Sequence, residues 1–498
     1  MRKRFEQQNT LDAVAIPEVK LNSKSRHQLP KLLAGLQYLF LTPNLNEQIF
    51  KILEEAVLKD KKKTGRLGMS LWELFVLGVV RQNMNMDYDL LYDQANNHTS
   101  LRGILGVDTK QVFYEGGKYY GLQTIKDNVS LLDEETLKKI NLAVVQAGHS
   151  LKKKEKGEPT ELDLKTDSYC VESKIHFPTD LNLLWDSARK CLDVLARIIK
   201  DYNISGWRKR KVWRNKIKKA YRHSSTIHRK KGANYKSRLQ ASTKGYLNVC
   251  SDLSNRIKSS LVGLQASSIS DIKLQGLVKW LMYYHDYLEK FIDLVERRIL
   301  KAEVIPHSEK VFSIFEPHVE WIQKGKVGKL VELGHNVAIT SDQYQFIIDH
   351  EVMVGLRDKD IPIALGNRLA ENFSMNYVLS SISFDRGFYS QLAKKALSKK
   401  FELVVMPKVG KKTEQQEQEE TAERFVKRRK KHSAVESNIN ELEHAGADKI
   451  LDKGLDGFKK SVAWSVVSYN LKRLGAIVLK QKLLPTAVKP SNYRKRRA

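Results

Sequence analysis

Three carboxylates lie where an α/β core would expose them. Asp167 falls in a segment rich in β-branched and aromatic residues, Asp385 directly follows the apolar run VLSSISF, and Glu436 lies in a helical stretch after the last strand. Acids from strand ends and a covering helix can converge on one sheet edge and chelate Mg²⁺, because hard divalent cations prefer oxygen ligands. Two such ions about 4 Å apart can activate a water or a 3′-hydroxyl for phosphodiester displacement. Since the chain has 57 acidic residues, spacing alone leaves this triple an open hypothesis.

The segment around Glu436 has the pattern of an amphipathic helix. Its apolar stripe consists of Phe425, His432, Val435, Ile439 and Leu442. Glu436 therefore lies on the polar flank beside a buried face, where an ordinary surface acid is the alternative interpretation. His432 could reach a phosphate or a metal, but a packed or capping histidine is the favoured interpretation.

Other enzyme classes have no support in the sequence. It contains no P-loop, no dinucleotide-binding glycine fingerprint, no HExxH and no paired CxxC. The three cysteines have no spacing typical of disulfides or zinc sites. The best apolar stretches are about half a membrane span, and the basic N-terminus leads into polar sequence. We therefore expect no membrane association and a reducing cytoplasm.

The elements that must position the acids follow from periodicity. Residues 1 to about 150 have helical spacing, with Ser70 as an N-cap. Strand patterns begin at Leu162 and stop at Pro178, and residues 183 to about 304 are helical again. Strands resume at VFSIFEP, and a hairpin is expected around residues 341–343; strands and helices then alternate until a final helical region from about 415. The pattern predicts an α/β core interrupted by an all-α insertion and preceded by an all-α N-terminal region.

The positive charge is concentrated in one part of the chain. The formal net charge is +30, and the segment between Asp201 and Asp252 contains 15 Lys or Arg and no acidic residue. Such an excess indicates a polyanionic partner, with nucleic acid first and an anionic membrane second. For the cations, contact with DNA is favoured over a merely solvated face. They are Arg208, Lys209, Arg210, Lys211, Arg214, Lys216, Lys218, Lys219 and Arg222. The interleaved Trp207, Trp213 and Tyr221 are expected to anchor the helix, with base stacking as the alternative. Arg428 and Arg429 belong to a smaller basic patch, KRRKKH, and the C-terminal YRKRRA is either a third patch or only solubilising.

Several long blocks, agreeing in order over most of residues 65–475, resemble bacterial insertion-sequence transposases of the ISNCY type. The blocks are TDSYCVESKIHFPTDLNLLWDSARK, IFEPHVEWIQKGKVGKLVELG, SFDRGFYS and HSAVESNINELEHAGADKILDKGLDGFKKSVAWSVVSYNLKRLG. Two more, GRLGMSLWELFVLGVVRQ and QTIKDNVSLLDEETLKKINLAVVQAGH, are similar to the N-terminal helical region of that family.

The resemblance implies a ribonuclease-H-like catalytic core with a DDE triad that uses Mg²⁺ or Mn²⁺. By motif, its three acids are Asp167 in TDSYCVES, Asp385 in SFDRGFYS and Glu436 in HSAVESNIN. The chain departs from related transposase groups, which carry a Tyr-Arg-Glu-Lys arrangement around the glutamate. Here position 432, four residues before, is His, and position 443, seven residues after, is Glu.

The expected organisation has four parts. They are a helical DNA-binding region over 1–152, a split ribonuclease-H-like core over 158–182 and 307–475, a basic all-α insertion over 183–306 and a basic tail over 476–498. The expected partners are double-stranded DNA, as terminal inverted repeats and as target, and further copies of the chain in a dimer or larger assembly, because two element ends must be paired. The expected location is the bacterial cytoplasm, associated with the nucleoid. The alternatives are a catalytically inactive nucleic-acid-binding descendant and a ribonuclease-H-like nuclease without strand transfer.

Overall fold

The chain folds into two compact units. A computed structural model describes residues 2–7, 13–22, 24–59, 67–108, 117–152, 160–202, 204, 206–230, 232–268, 271–323 and 330–484. The first unit takes in the described parts of 1–174 and 322–498, and the second takes in those of 175–321. The boundary expected near 151–158 and most of the basic C-terminal tail lie outside the described residues.

The chain begins with helices. They are α1 (Gln28–Leu41), α2 (Pro43–Leu58), α3 (Leu71–Asn83), α4 (Tyr88–Asn97), α5 (Thr99–Leu105), α6 (Leu122–Val129) and α7 (Glu134–Lys152). The N-cap prediction at Ser70 is confirmed, because its hydroxyl accepts the Glu73 N–H at 3.2 Å while the Glu73 carboxylate accepts the Ser70 N–H at 2.8 Å. The first strand, β1 (Thr160–Ser173), follows these helices.

The second unit is built from long helices. They are α8 (Asp180–Tyr202), α9 (Arg210–Arg229), α10 (Tyr235–Ser268) and α11 (Ile272–Val295). The apolar stripe of α11 is buried at Leu274, Leu281, Leu288 and Phe291, as its helical spacing predicts. The strand β2 (Glu320–Ile322) lies where the chain returns to the first unit.

The rest of the first unit alternates strands and helices before it ends in helices. The elements are β3 (Glu332–Ser341), β4 (Ile347–Met353), α12 (Pro362–Phe373), β5 (Tyr377–Phe384), α13 (Gln391–Leu397), β6 (Leu403–Val405), α14 (Glu414–Thr421), α15 (Glu423–His432), α16 (Ala434–Leu442), β7 (Lys449–Ile450) and α17 (Gly454–Lys480). The fold is therefore mixed α/β.

The described strands form one mixed, open sheet of seven strands. Within the first unit the order is β4-β3-β1-β5-β6, and β7 also pairs with β1. β1 is antiparallel to β3 and parallel to β5, β3 and β4 form the predicted hairpin, and β5 and β6 are parallel. The long strand β1 is thus central, with the antiparallel β3 on one side and the parallel β5 and β7 on the other.

The two faces of the sheet are covered by different helices. On one face, Leu164, Ile382 and Phe384 belong to a large apolar core that also includes α1, α3, α7 and α12. On the other face, Tyr169 and Val171 share a second core with α16 and α17. The N-terminal helices therefore share a core with the sheet. Part of this packing is very close: a Cβ on Gly475 of α17 would lie 1.8 Å from the Lys31 carbonyl oxygen of α1.

Two strand predictions need correction. The segment VFSIFEP, residues 311–317, is not a strand. The Ser313 hydroxyl there accepts the N–H groups of Phe315 and Glu316, both at 3.1 Å, which forms a turn instead. The strand that was expected to reach Pro178 ends at Ser173.

Candidate functional site

Two of the three candidate acids lie side by side at the carboxyl end of β5. The parallel register pairs Asp163 with Ser381, Lys165 with Ser383 and Thr166 with Phe384. One residue further on, the same register brings Asp167 of β1 next to Asp385. Because side chains alternate along a strand, Asp167 lies on the same face as Lys165 and Tyr169. This is the face that α16 covers.

Helix α15 runs along this face, and successive turns of the helix contact successive residues of the two strands on this face. In the middle of α15, Arg428 forms an ion pair with Asp163, which also accepts a hydrogen bond from the Ser381 hydroxyl at 2.8 Å. One turn later, Nδ1 of His432 lies 3.1 Å from the Ser383 hydroxyl. These contacts define a first level (Asp163, Ser381, Arg428) and a second level (Lys165, Ser383, His432).

The third level consists of Asp167, Asp385 and Glu436. Four helical residues advance about 6 Å and two strand residues advance about 6.6 Å. One more turn of helix therefore covers about the same distance as two more residues of strand. The chain stays right-handed helical at Ser433 between α15 and α16, with φ −55° and ψ −18°. Val435, directly before Glu436, is buried with Tyr169. The backbone of Glu436 is therefore placed at the level of the two aspartates.

The third level faces solvent. Asp167 is half-buried, whereas Asp385 and Glu436 are exposed. Among the described residues, no group of three His, Cys, Asp or Glu side chains is close enough to hold a metal ion. Neither Asp385 nor Glu436 forms an ion pair within that same part of the chain. The strand register and the helical rise thus put the three backbones at about one level, whereas among the described residues the three carboxylates do not form one cluster.

The second level is buried and electropositive. Burial lowers the pKa of Lys165, and the nearby Arg428 and Lys431 lower it further, whereas Asp342 and Asp163 raise it. The Lys165 ammonium donates to the Asp342 carbonyl at 3.1 Å. Burial also lowers the pKa of His432, against a smaller opposing effect of Asp385. His432 is therefore neutral at pH 7, and its packed position on Ser383 agrees with the favoured sequence interpretation.

One further acid at this edge had no signal in the sequence. A carboxylate oxygen of Asp358 accepts a hydrogen bond from the Ser168 hydroxyl at 2.7 Å. Its other oxygen lies against Gly387, where an added Cβ would come within 3.0 Å. Asp358 thus contacts the residue after Asp167 and the turn after Asp385. Because Ser168 and Asp358 are 190 positions apart, no local pattern could have connected them.

The predicted basic surface lies on α9 and the turn before it, in the second unit. Of its nine cations, Arg210 is half-buried and the others are exposed. Arg214 pairs with Asp193 at 2.5 Å.

The aromatic residues of α9 and of the turn before it act as anchors, as expected. Trp207 is 1% exposed, and its Nε1 donates to the Ser260 hydroxyl at 3.1 Å. Trp213 packs against the core of this unit, and Tyr221 stacks on Trp185 with ring centroids 6.0 Å apart. The cations are therefore displayed on a helix that its aromatic side chains fix to the helices beneath.

The two cations predicted on α15 differ in their surroundings. Arg428 is half-buried and its guanidinium is paired with Asp163, whereas Arg429 is exposed. Arg428 therefore has a structural contact besides any contact with DNA.

Comparison with protein-family models, with curated proteins and with solved structures finds no match for this chain. In the part of the chain that is described, no helix is both long and apolar enough to cross a bilayer.

Proposed function

We propose that this protein is an insertion-sequence DNA transposase with a ribonuclease-H-like catalytic core. It binds the terminal inverted repeats of its element, hydrolyses the phosphodiester at the element end and joins the freed 3′-hydroxyl to target DNA. The proposal is supported by the register of β1 with β5 and by the packing of α16 on β1, which, extended by one step, put Asp167, Asp385 and Glu436 at the third level. The order β4-β3-β1-β5-β6, in which β3 runs antiparallel to β1 and the other three strands run parallel to it, supports the same proposal.

The donor set of this level fits Mg²⁺ or Mn²⁺. All three candidate ligands are carboxylates, the oxygen donors that Mg²⁺ prefers, and two of them are exposed. Asp167, Asp385 and Glu436 would hold the metal. When bound, such a metal lowers the pKa of the attacking hydroxyl and stabilises the leaving oxygen.

The other residues of the site position these acids. The Arg428–Asp163 ion pair and the Ser383–His432 contact fix α15 against β1 and β5, which sets where Glu436 lies. Asp358 lies between the middle of β1, where the Ser168 hydroxyl donates to it, and the turn after β5 at Gly387. An error of about 1 Å in such positions costs about a hundredfold in rate, so these contacts matter for catalysis.

DNA binding is assigned to the exposed cations of α9. A row of Lys and Arg on an anchored helix binds the phosphate backbone and releases its counterions. Because two element ends have to be synapsed, the active form in this proposal is a dimer or a larger assembly.

The test is an end-processing assay with separate readouts. A labelled duplex that ends in the element's inverted repeat is incubated with Mg²⁺ and a target plasmid, and nicking and joining are measured. We expect Asp167→Asn, Asp385→Asn and Glu436→Gln to lose both activities and to keep DNA binding, and chelation by EDTA to do the same to the wild type. Asp180→Asn, which removes a carboxylate paired with Arg298 in the second unit, is the matched control and should stay active.

Each outcome separates the candidates. Nicking without joining would indicate a nuclease without strand transfer. Binding without either activity in the wild type would indicate a non-catalytic DNA-binding protein. Joining by Asp385→Asn at the wild-type rate would refute the assigned triad.

A further inference from the structure

A groove of about 350 Å³ lies on the sheet face beside the first level, between α15 and strands β5 and β6. Its charged lining consists of Arg424, Lys427, Arg428, Lys431, Asp163 and Glu402. Since Arg428 and Asp163 neutralise one another, three cations remain against one carboxylate. The groove is therefore electropositive.

The three remaining cations share one face of α15. Positions 424, 427 and 431 are spaced by three and four residues, so their side chains project on the same side of the helix. All three are exposed, and none forms an ion pair among the described residues. By contrast, Lys394 of α13 is engaged by Glu419 at 2.6 Å, and Lys412 by Glu420 at 2.6 Å. The cations of the groove are thus available to an anion from outside the chain.

The length and position of the row suit a nucleic-acid strand. Residues 424 to 431 advance about 10 Å along the helix at about 1.5 Å per residue, the length over which one DNA strand carries about three phosphates. Lys431 is five residues before Glu436, or about 7 Å along the same helical path. The row therefore leads towards the three acids.

We infer that the groove beside α15 binds the sugar-phosphate backbone of the DNA strand next to the scissile phosphate, through Arg424, Lys427 and Lys431. The inference rests on the proposed function, because it gives this strand a path to the acids of the third level. It also assigns Arg428 to holding the helix in place through Asp163.

The test measures binding without catalysis. A fluorescein-labelled 20-base-pair duplex of arbitrary sequence is titrated with the full-length protein in EDTA at several NaCl concentrations. The variant carries Arg424→Gln, Lys427→Gln and Lys431→Gln. The matched control carries Lys395→Gln, Lys399→Gln and Lys400→Gln, which removes the same charge from exposed positions of the same unit outside the groove.

We expect the groove variant to bind more weakly and its log-log slope of affinity against salt to fall by about 2.7, or about 0.9 for each of three phosphates. The control should keep a steeper slope than the groove variant. The single variant Lys427→Gln should reduce the slope by about 0.9, and it serves if the triple variant unfolds.

Two results would overturn the inference. One is an equal change in slope for the groove variant and the control. The other concerns deoxyadenosine monophosphate, added at a phosphate concentration equal to that of the duplex. If it displaces the duplex from the wild type but not from the groove variant, the groove is a mononucleotide site. Because arbitrary DNA without metal is used, a wild type that never nicks an element end would refute the proposed function and leave this result standing.

Discussion

Removal of one carboxylate from the third level should stabilise the metal-free protein while it abolishes activity. In Asp385→Asn the size of the side chain is kept and one negative charge is removed. Asp385 makes no side-chain hydrogen bond to the turn that it begins and no ion pair among the described residues, so no favourable interaction disappears with the charge. Its repulsion by Asp167, on the neighbouring strand, is relieved.

The magnitude follows from the register. Neighbouring strands are about 4.8 Å apart, and carboxylates on the same face at one level are about 6 Å apart. Because Asp385 is exposed, the dielectric constant of water applies, and the repulsion is about 0.7 kcal/mol. At 0.15 M salt the Debye length of about 8 Å reduces this by about half. We therefore expect the free energy of unfolding to rise by about 0.7 kcal/mol in EDTA at 10 mM salt, and by about half as much at 0.15 M.

The assay is urea unfolding of the wild type and the variant at both ionic strengths, with and without Mg²⁺. A metal that binds only the folded state adds about 1.4 kcal/mol at ten times its dissociation constant. This increment should be present in the wild type and absent from Asp385→Asn. Asp385→Asn should thus be more stable than the wild type in EDTA and less stable than the wild type in Mg²⁺. This reversal distinguishes a metal site from an ordinary surface acid.

Asp163→Asn is the control, for which the free energy of unfolding should change in the opposite direction. It lies on the same strand as Asp167, four residues earlier, but its carboxylate is paired with Arg428 and both side chains are half-buried. Its replacement should destabilise the protein by about 1 kcal/mol. The reasoning fails if Asp385→Asn lowers the free energy of unfolding, or if its effect is the same at both ionic strengths.

Three further predictions concern other parts of the chain. Alanine at residues 208–211 should weaken DNA binding for all sequences and should lower the slope of log affinity against log salt concentration by about 0.9 for each phosphate that the variant no longer binds. Titrations at several salt concentrations measure this slope, and an unchanged slope would contradict the prediction. Trp207→Ala should cost about 3 to 5 kcal/mol in unfolding experiments, because the ring is fully buried and its Nε1 donates to Ser260. Burial lowers the pKa of His350 to about 3, so between pH 6.5 and 3 the unfolded state binds a proton that the folded state does not. The free energy of unfolding should therefore decrease as the pH is lowered through that window, by up to about 1.4 kcal/mol per pH unit. His350→Gln should reduce this pH dependence.

The sequence was sufficient for the elements that have a strong local pattern. The run YVLSSISF is β5, residue for residue, and the hairpin of β3 and β4 was expected from two apolar strands around a polar turn. Asp385 could be placed at a strand end for this reason. VFSIFEP has the same composition as a strand, but the Ser313 side chain competes for the backbone and forms a turn.

Contacts between distant segments could not be predicted. The Arg428–Asp163 pair and the Ser168–Asp358 hydrogen bond each join segments that no periodicity relates. The shared core of the N-terminal helices and the sheet was missed for a similar reason: the apolar pattern of a helix shows that a face is buried, and it does not show against what.

The carboxylates of the sheet edge have opposite surroundings, and the difference bears on function. At the first level, Asp163 has a guanidinium and a hydroxyl, which satisfy the charge within the protein. At the third level, Asp385 and Glu436 are exposed and have no cation among the described residues. A cluster of like charges destabilises a fold, and proteins carry such local costs mainly at functional sites. Because α15 supplies a cation at the first level and α16 an anion at the third, the pattern suits a cation that comes from solution.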